Sequence, residues 1–180
     1  PYVQNFCVIP NGVHNDLEVT ILPIGIARPG FDATYKIVYK NKGNQISSGT
    51  VSLSYNDALM DLVNTNPINS SSATNILSWD YTNLNPFEIR EIIVVFNINA
   101  PTGAPAVNNG DVLTFTSNIS IDSDETPNDN SFTLAQTVVN SFDPNDKTCL
   151  EGTKITPSMV GEYVHYVIRF ENTGTASAEN

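Results

Sequence analysis

Positive charge is what this chain has least of. Its 180 residues include 8 Lys plus Arg against 19 Asp plus Glu, a formal net charge of −11. A surface this acidic has no means of releasing counterions from a polyphosphate or an anionic bilayer, so nucleic acid and such membranes are excluded as partners. Cysteine is scarce as well. Cys7 and Cys149 are the two present, too few for a disulfide-stapled scaffold. One bridge between them is open on sequence grounds, and so is the alternative of two thiols acting as small buried hydrophobes. No apolar run approaches the roughly 20 residues of a spanning helix, so no membrane insertion is expected. HExxH, GxSxG and P-loop motifs are missing. The two histidines, His14 and His165, fall in different parts of the chain. Pairing Cys149 with His165 as nucleophile and base would lack an accompanying oxyanion loop. The expectation is therefore no enzyme, with neither catalytic nor cofactor-binding residues.

What is present is β patterning. Hydrophobic residues make up 40% and charged residues 15%, which rules out a disordered chain and a coiled coil. Asn, Ser and Thr are abundant, a leaning common in extracellular β proteins. In Ala33 to Asn41, Tyr35, Ile37 and Tyr39 share one face and Lys36, Val38 and Lys40 the other. Similar alternation or short apolar runs occupy 16–25, 49–56, 76–81, 88–99, 111–121 and 130–141. The span from Asp57 to Asn75 reads differently: a short helical turn over "ALMDLV", then loop. About seven short strands between turn-forming loops predict an all-β fold, an immunoglobulin-like antiparallel β-sandwich. Trp79 reads as a core or edge residue of it.

An internal repeat extends beyond that module. "GFDATYKIVYKNKG" from Gly30 aligns with "GEYVHYVIRFENTG" from Gly161 at a constant offset of 166 − 35 = 131 residues. Repeats of this kind indicate tandem modules. The expected organisation is a lead-in over 1–15, a sandwich over 16–140, a linker over 141–147 and the truncated beginning of a second β module over 148–180. With Pro1 first and no signal peptide in view, the sequence reads as a mature product or an excised piece. "SFDPNDK" (Ser141 to Lys147) reads as a tight turn and hinge: Pro144 fixes φ and Asp143 can accept backbone N–H bonds.

"SFDPNDK" followed by "GEYVHYVIRFENTGTASAEN" resembles a module of large secreted and cell-surface proteins of Bacteroidota that often end in a type IX secretion sorting domain. The stretches "NDLEVTILP" and "ARPGFDATYKIVYKNKGN", with "DETPNDNSF" as a closing turn, resemble a bacterial cell-adhesion-related sandwich domain. The resemblance implies export to the extracellular space or the outer cell surface, neighbouring modules of the same chain as partners, and no reaction.

Two binding chemistries compete with a purely structural reading. "DSDETPNDN" places Asp122, Asp124, Glu125 and Asp129 within a few positions, and calcium takes six to eight such oxygens. The loop does not match an EF-hand, and acid-rich turns also cap their own backbone. These four residues are the candidate calcium ligands; no other cofactor is expected. Tyr2, Tyr35, Tyr39, Tyr55, Tyr81 and Trp79 are the candidates for an aromatic glycan platform, against the alternative that they pack in the core. The leading expectation is a non-catalytic structural or adhesive module, a spacer or presenting element with a surface glycan or protein ligand. The alternative is a carbohydrate-binding accessory module of a secreted hydrolase.

Overall fold

The structure, a computed structural model, describes residues 2–5, 9–120, 123–140, 146–152, 154 and 156–169. It divides into two compact units, Pro1–Val138 and Val139–Asn180. The first unit holds nine strands: β1 (Leu17–Pro23), β2 (Asp32–Asn41), β3 (Ser47–Ser54), β4 (Met60–Asn66), β5 (Ser71–Ala73), β6 (Ile76–Leu84), β7 (Ile89–Ile98), β8 (Val112–Ile119) and β9 (Ser131–Thr137). They form a four-stranded sheet ordered β1-β2-β7-β4 and a five-stranded sheet ordered β5-β6-β3-β8-β9. Every neighbouring pair is antiparallel. This is the expected immunoglobulin-like β-sandwich.

The two-residue period decides which side chains meet between the sheets. From the four-stranded sheet come Leu17, Val19 and Ile21, then Tyr35, Ile37 and Tyr39, then Ile92, Val94, Phe96 and Ile98, all buried. Val51, Leu53, Leu77, Trp79, Tyr81, Leu113, Phe115 and Ile119 answer from the other sheet. Tyr35 anchors the contact. Its ring centroid lies 4.2 Å from that of Phe115 across the sandwich and 6.1 Å from that of Phe96 on its own sheet. Tyr39 and Tyr81 make a second bridge between the sheets at 5.4 Å.

One region departs from expectation. The Asp57 to Asn75 span holds no helical turn; it forms β4 and β5. β4 pairs with β7, and a register shift between Leu62 and Asn64 marks a bulge. The local sequence lacks clean alternation because β4 is an edge strand whose pairing comes from its apolar neighbour β7, not from its own pattern. Two 3-10 turns, Pro127–Asp129 and Pro157–Met159, are the helical pieces among the described residues.

The repeat motif has a physical basis in the first unit. The Asn41 side chain is buried at 1% exposure. Its Nδ2 donates to the carbonyls of Gln45 (2.7 Å) and Leu84 (3.0 Å), while its Oδ1 accepts the Gly43 N–H at 2.9 Å. One amide thus ties the β2–β3 turn to the end of β6. Gly43 is required beside it, since a Cβ there would lie 2.4 Å from the His14 carbonyl oxygen. These contacts account for the Asn and Gly two positions apart in the first copy; their mates Asn172 and Gly174 lie outside the described residues.

In the second unit β10 (Asp146–Cys149) pairs antiparallel with β11 (Tyr166–Arg169). Lys147 Nζ sits 4.1 Å from the centroid of the Tyr166 ring, a cation–π contact. Tyr166 and Ile168 are 50% and 60% exposed, whereas their repeat mates Tyr35 and Ile37 are fully buried.

The Tyr35 hydroxyl is enclosed without a hydrogen-bond partner, and burial raises its pKa above the ordinary tyrosine value. Such a group carries an unrecovered desolvation cost of about 1–3 kcal/mol. Tyr35→Phe is expected to raise the unfolding free energy by about 1 kcal/mol, whereas Phe96→Ala should lower it by about 3–5 kcal/mol. Chemical denaturation of both variants checks the pair; a Tyr35→Phe protein less stable than wild type contradicts the first.

Candidate functional site

The polar constellation richest in ionisable groups gathers where β1 begins, β2 ends and the chain approaches β9. The chain reaches this place by backbone bonds. The Asp16 carbonyl accepts from the N–H groups of Lys42 (2.7 Å) and Gly43 (3.1 Å), and the Asn44 N–H donates to the His14 carbonyl at 2.9 Å. The Glu125 N–H donates to the Asn15 carbonyl at 2.9 Å. Asp124 then accepts twice, from the Leu17 N–H at Oδ2 (2.8 Å) and from the Thr126 N–H at Oδ1 (2.7 Å).

These bonds bring Asp16, Asp124 and Asp129 together, with one carboxylate oxygen from each within 4.8 Å of the others. Lys42 lies among them. Its Nζ is 2.6 Å from Asp129 Oδ2, 3.4 Å from Asp16 Oδ1 and 3.6 Å from Glu18 Oε2. The hydrogen bond to Asp129 is the main cause that raises the lysine pKa well above its ordinary value. The ammonium is an internal counter-ion that offsets repulsion among the acids. Asp129 Oδ1 is nevertheless an enclosed atom that accepts no hydrogen bond, and enclosed Asp16 Oδ1 has only the longer contact with the ammonium.

Sequence reasoning captured part of this cluster. Asp124 and Asp129 are in it. Glu125 is turned elsewhere, with its Oε1 2.7 Å from His14 Nδ1. Asp122 lies outside the described residues, as do Cys7 of the Cys7–Cys149 pairing and the Ser141–Asn145 part of the hinge. Asp16 and Lys42 were missed. Both stand far from the acid-rich loop in sequence, and only the strand register carries them to it.

Five of the six platform candidates form no surface platform: Tyr35, Tyr39, Tyr55, Tyr81 and Trp79 are each at most 8% exposed, because strand alternation turns them into the core, while Tyr2 is exposed outside the strands. Trp79 Nε1 donates to the Pro67 carbonyl at 3.0 Å, which satisfies its polar edge. In the second unit Cys149 and His165 meet through a third residue. The Cys149 thiol donates to Glu151 Oε2 at 3.3 Å, and His165 Nδ1 lies 2.7 Å from Glu151 Oε1. The carboxylate, held down to about 2 chiefly by His165, stands between thiol and imidazole as a hub of the hairpin.

The family described as a domain of unknown function, DUF7619, matches residues 143–180. No curated protein matches the chain. Among solved structures, the CARDB domain of a Pyrococcus furiosus protein in complex with di-metal ions is similar, with a TM-score of 0.47 and 18% identity over 72% of this chain and 97% of that one. BslA, a bacterial hydrophobin, gives a TM-score of 0.40 and 10% identity over 71% and 96% of the respective chains. A chain of a CaDoc–CaCohA2 complex solved at pH 5.5 gives 0.36 and 14% over 71% and 99%. Likenesses this distant carry no argument about ligand or partner.

His14 gives the site a pH dependence with a definite sign. Its Nε2 faces the Asn11 carbonyl at 2.9 Å and its Nδ1 faces Glu125. The Asn11 carbonyl first, and Glu125 after it, raise its pKa above the ordinary 6.5. A raised folded-state value adds stability that is complete below the unfolded-chain value and is lost as pH rises through the folded one. His14→Gln is therefore expected to lower the melting temperature more at about pH 6 than at about pH 9. A larger deficit at the alkaline end contradicts the pairing.

Proposed function

We propose that this chain is a non-catalytic, immunoglobulin-like module of a secreted or cell-surface bacterial protein, working as a spacer or presenting element in a tandem array. One observation supports the reading: among the described residues, several ionisable side chains that could do chemistry are engaged in structural pairs. Arg90 Nε meets Glu88 Oε1 at 2.6 Å and donates further to the carbonyls of Thr82 and Asn83. Lys36 Nζ meets Glu91 at 2.9 Å, while Lys42, His14 and His165 are engaged as described above. The sandwich closes its own core, and β11, which holds the repeat mates of part of β2, pairs antiparallel with β10. A net charge of −11 keeps such modules from associating with one another. Type IX export and a Bacteroidota origin belong to this proposal on the strength of the sequence resemblance. Protease shaving of intact cells that express the full-length parent protein tests it. Release of peptides from 16–140 before lysis is expected; release only after lysis rejects the surface location.

A second reading attaches a calcium ion to the acidic end. The enclosed oxygen Asp129 Oδ1, and Asp16 Oδ1 whose partner is the Lys42 ammonium, favour it beside Asp124, because a hard cation would satisfy them. Calcium would have to displace the Lys42 ammonium. Adding calcium to chelator-treated protein should then raise the melting temperature, more so in Lys42→Met and not in Asp129→Asn. An unchanged melting temperature and no binding heat in all three proteins eliminates the ion.

A further inference from the structure

The two sheets differ in charge on a scale their sequences make plain. β1, β2, β4 and β7 carry Glu18, Asp32, Lys36, Lys40, Asp61, Arg90 and Glu91. The five strands of the other sheet together carry one charged residue, Asp80, and Thr50 Oγ1 donates to it at 2.9 Å. The outer face of that sheet is mostly hydroxyls and amides, with Ala73, Ile76, Val112 and Ala135 among them. Register aligns Ser71, Ser78, Ser52, Asn118 and Ser131 in one row across all five strands, at the strand spacing of about 4.8 Å. The next row contains Ser54, Thr116 and Thr133, the last two joined hydroxyl to hydroxyl at 3.0 Å.

A cleft of about 420 Å³ opens on this face, lined by Ser54, Tyr55, Asn56, Asn75, Thr114 and Thr116. It is shallow and open to solvent, a shape that suits an extended chain lying across the sheet. Its amides are oriented in advance. Asn56 Oδ1 accepts the Ala58 N–H at 3.1 Å, and Asn75 Oδ1 accepts the Asp57 N–H at 2.9 Å. Each oxygen end is thereby fixed on backbone, which leaves each NH₂ end as a positioned donor. Asn75 is further held at a φ of 63°, with its carbonyl accepting the Tyr55 N–H at 3.1 Å. Tyr55 is 8% exposed, and its hydroxyl is committed to Asp57 at 3.1 Å.

We propose that this cleft, continued by the hydroxyl rows beside it, binds an uncharged, hydroxyl-rich ligand: a short stretch of neutral polysaccharide. Uncharged donors and acceptors in number match the hydroxyl and ring oxygens of such a chain. Nothing in the lining supplies a counter-charge for an ionised ligand, and the overall negative charge repels anionic polymers. Recognition here is by hydrogen bonds and not by aromatic stacking, since the one aromatic residue of the lining, Tyr55, is buried. The inference rests on the presenting role proposed above and gives it a ligand class, and it is tested on purified protein, so its failure leaves the surface location untouched.

Native-gel affinity electrophoresis decides it. Glucomannan, xylan and soluble starch are the neutral probes, and alginate is the anionic control. Wild-type protein is expected to be retarded by at least one neutral polymer and not by alginate. Thr114→Val keeps the side-chain shape and removes a lining hydroxyl, and should weaken that retardation roughly tenfold with an unchanged melting temperature. Ser54→Arg, which fills the cleft from an outward-facing position, should abolish it. The proposal is overturned if no neutral polymer retards the protein, if alginate retards it equally, or if both variants bind as wild type does.

Discussion

The sandwich depends on the apposition of two apolar sheet faces, and Tyr35, Phe96 and Phe115 stand at its centre. Each of the three is fully buried. Because side chains alternate along a strand, fixing these rings inward fixes every other residue of β2, β7 and β8 outward. The surfaces available for function are therefore consequences of the core. The lysines of β2 reach solvent on one sheet, and the threonines of β8 reach it on the other, because Tyr35 and Phe115 do not.

The ends of the sandwich are governed by a second constraint, the need to satisfy backbone groups where strands stop. At one end Asn41 and Gly43 do this by joining turns that are far apart in sequence. Asp124 does the same for β1 by accepting the Leu17 N–H. The acidic cluster is thus partly a by-product of capping: carboxylates placed to hold backbone crowd together, and Lys42 neutralises the excess. The same groups that close the fold make up the constellation most open to a cation, so structure and possible chemistry share residues there.

The sequence reading and the structure agree where the pattern is local. Alternation in β2, β3, β7 and β8 needs no knowledge of neighbours, since the buried and exposed faces are written into consecutive residues. β4 and β5 escaped because edge strands take their conformation from a partner. The same limit applied to the candidate site. Asp124 and Asp129 were legible together because they lie in one loop, whereas the turn of Glu125 toward His14 was not, because proximity in sequence says nothing about which way a side chain turns. The aromatic residues were legible as strand residues, and their burial follows from the alternation that identified them.

The sequence by itself determined the β class, the inward set of apolar side chains, the acidic balance and the repeat at Gly30 and Gly161, because each is a property of short stretches or of composition. The tertiary structure decided which strands pair, that Asp16 and Lys42 join the acid-rich loop, and that one sheet presents an almost uncharged face with a cleft. Those outcomes depend on register between segments distant in the chain, and register is set only when two faces close on a common core.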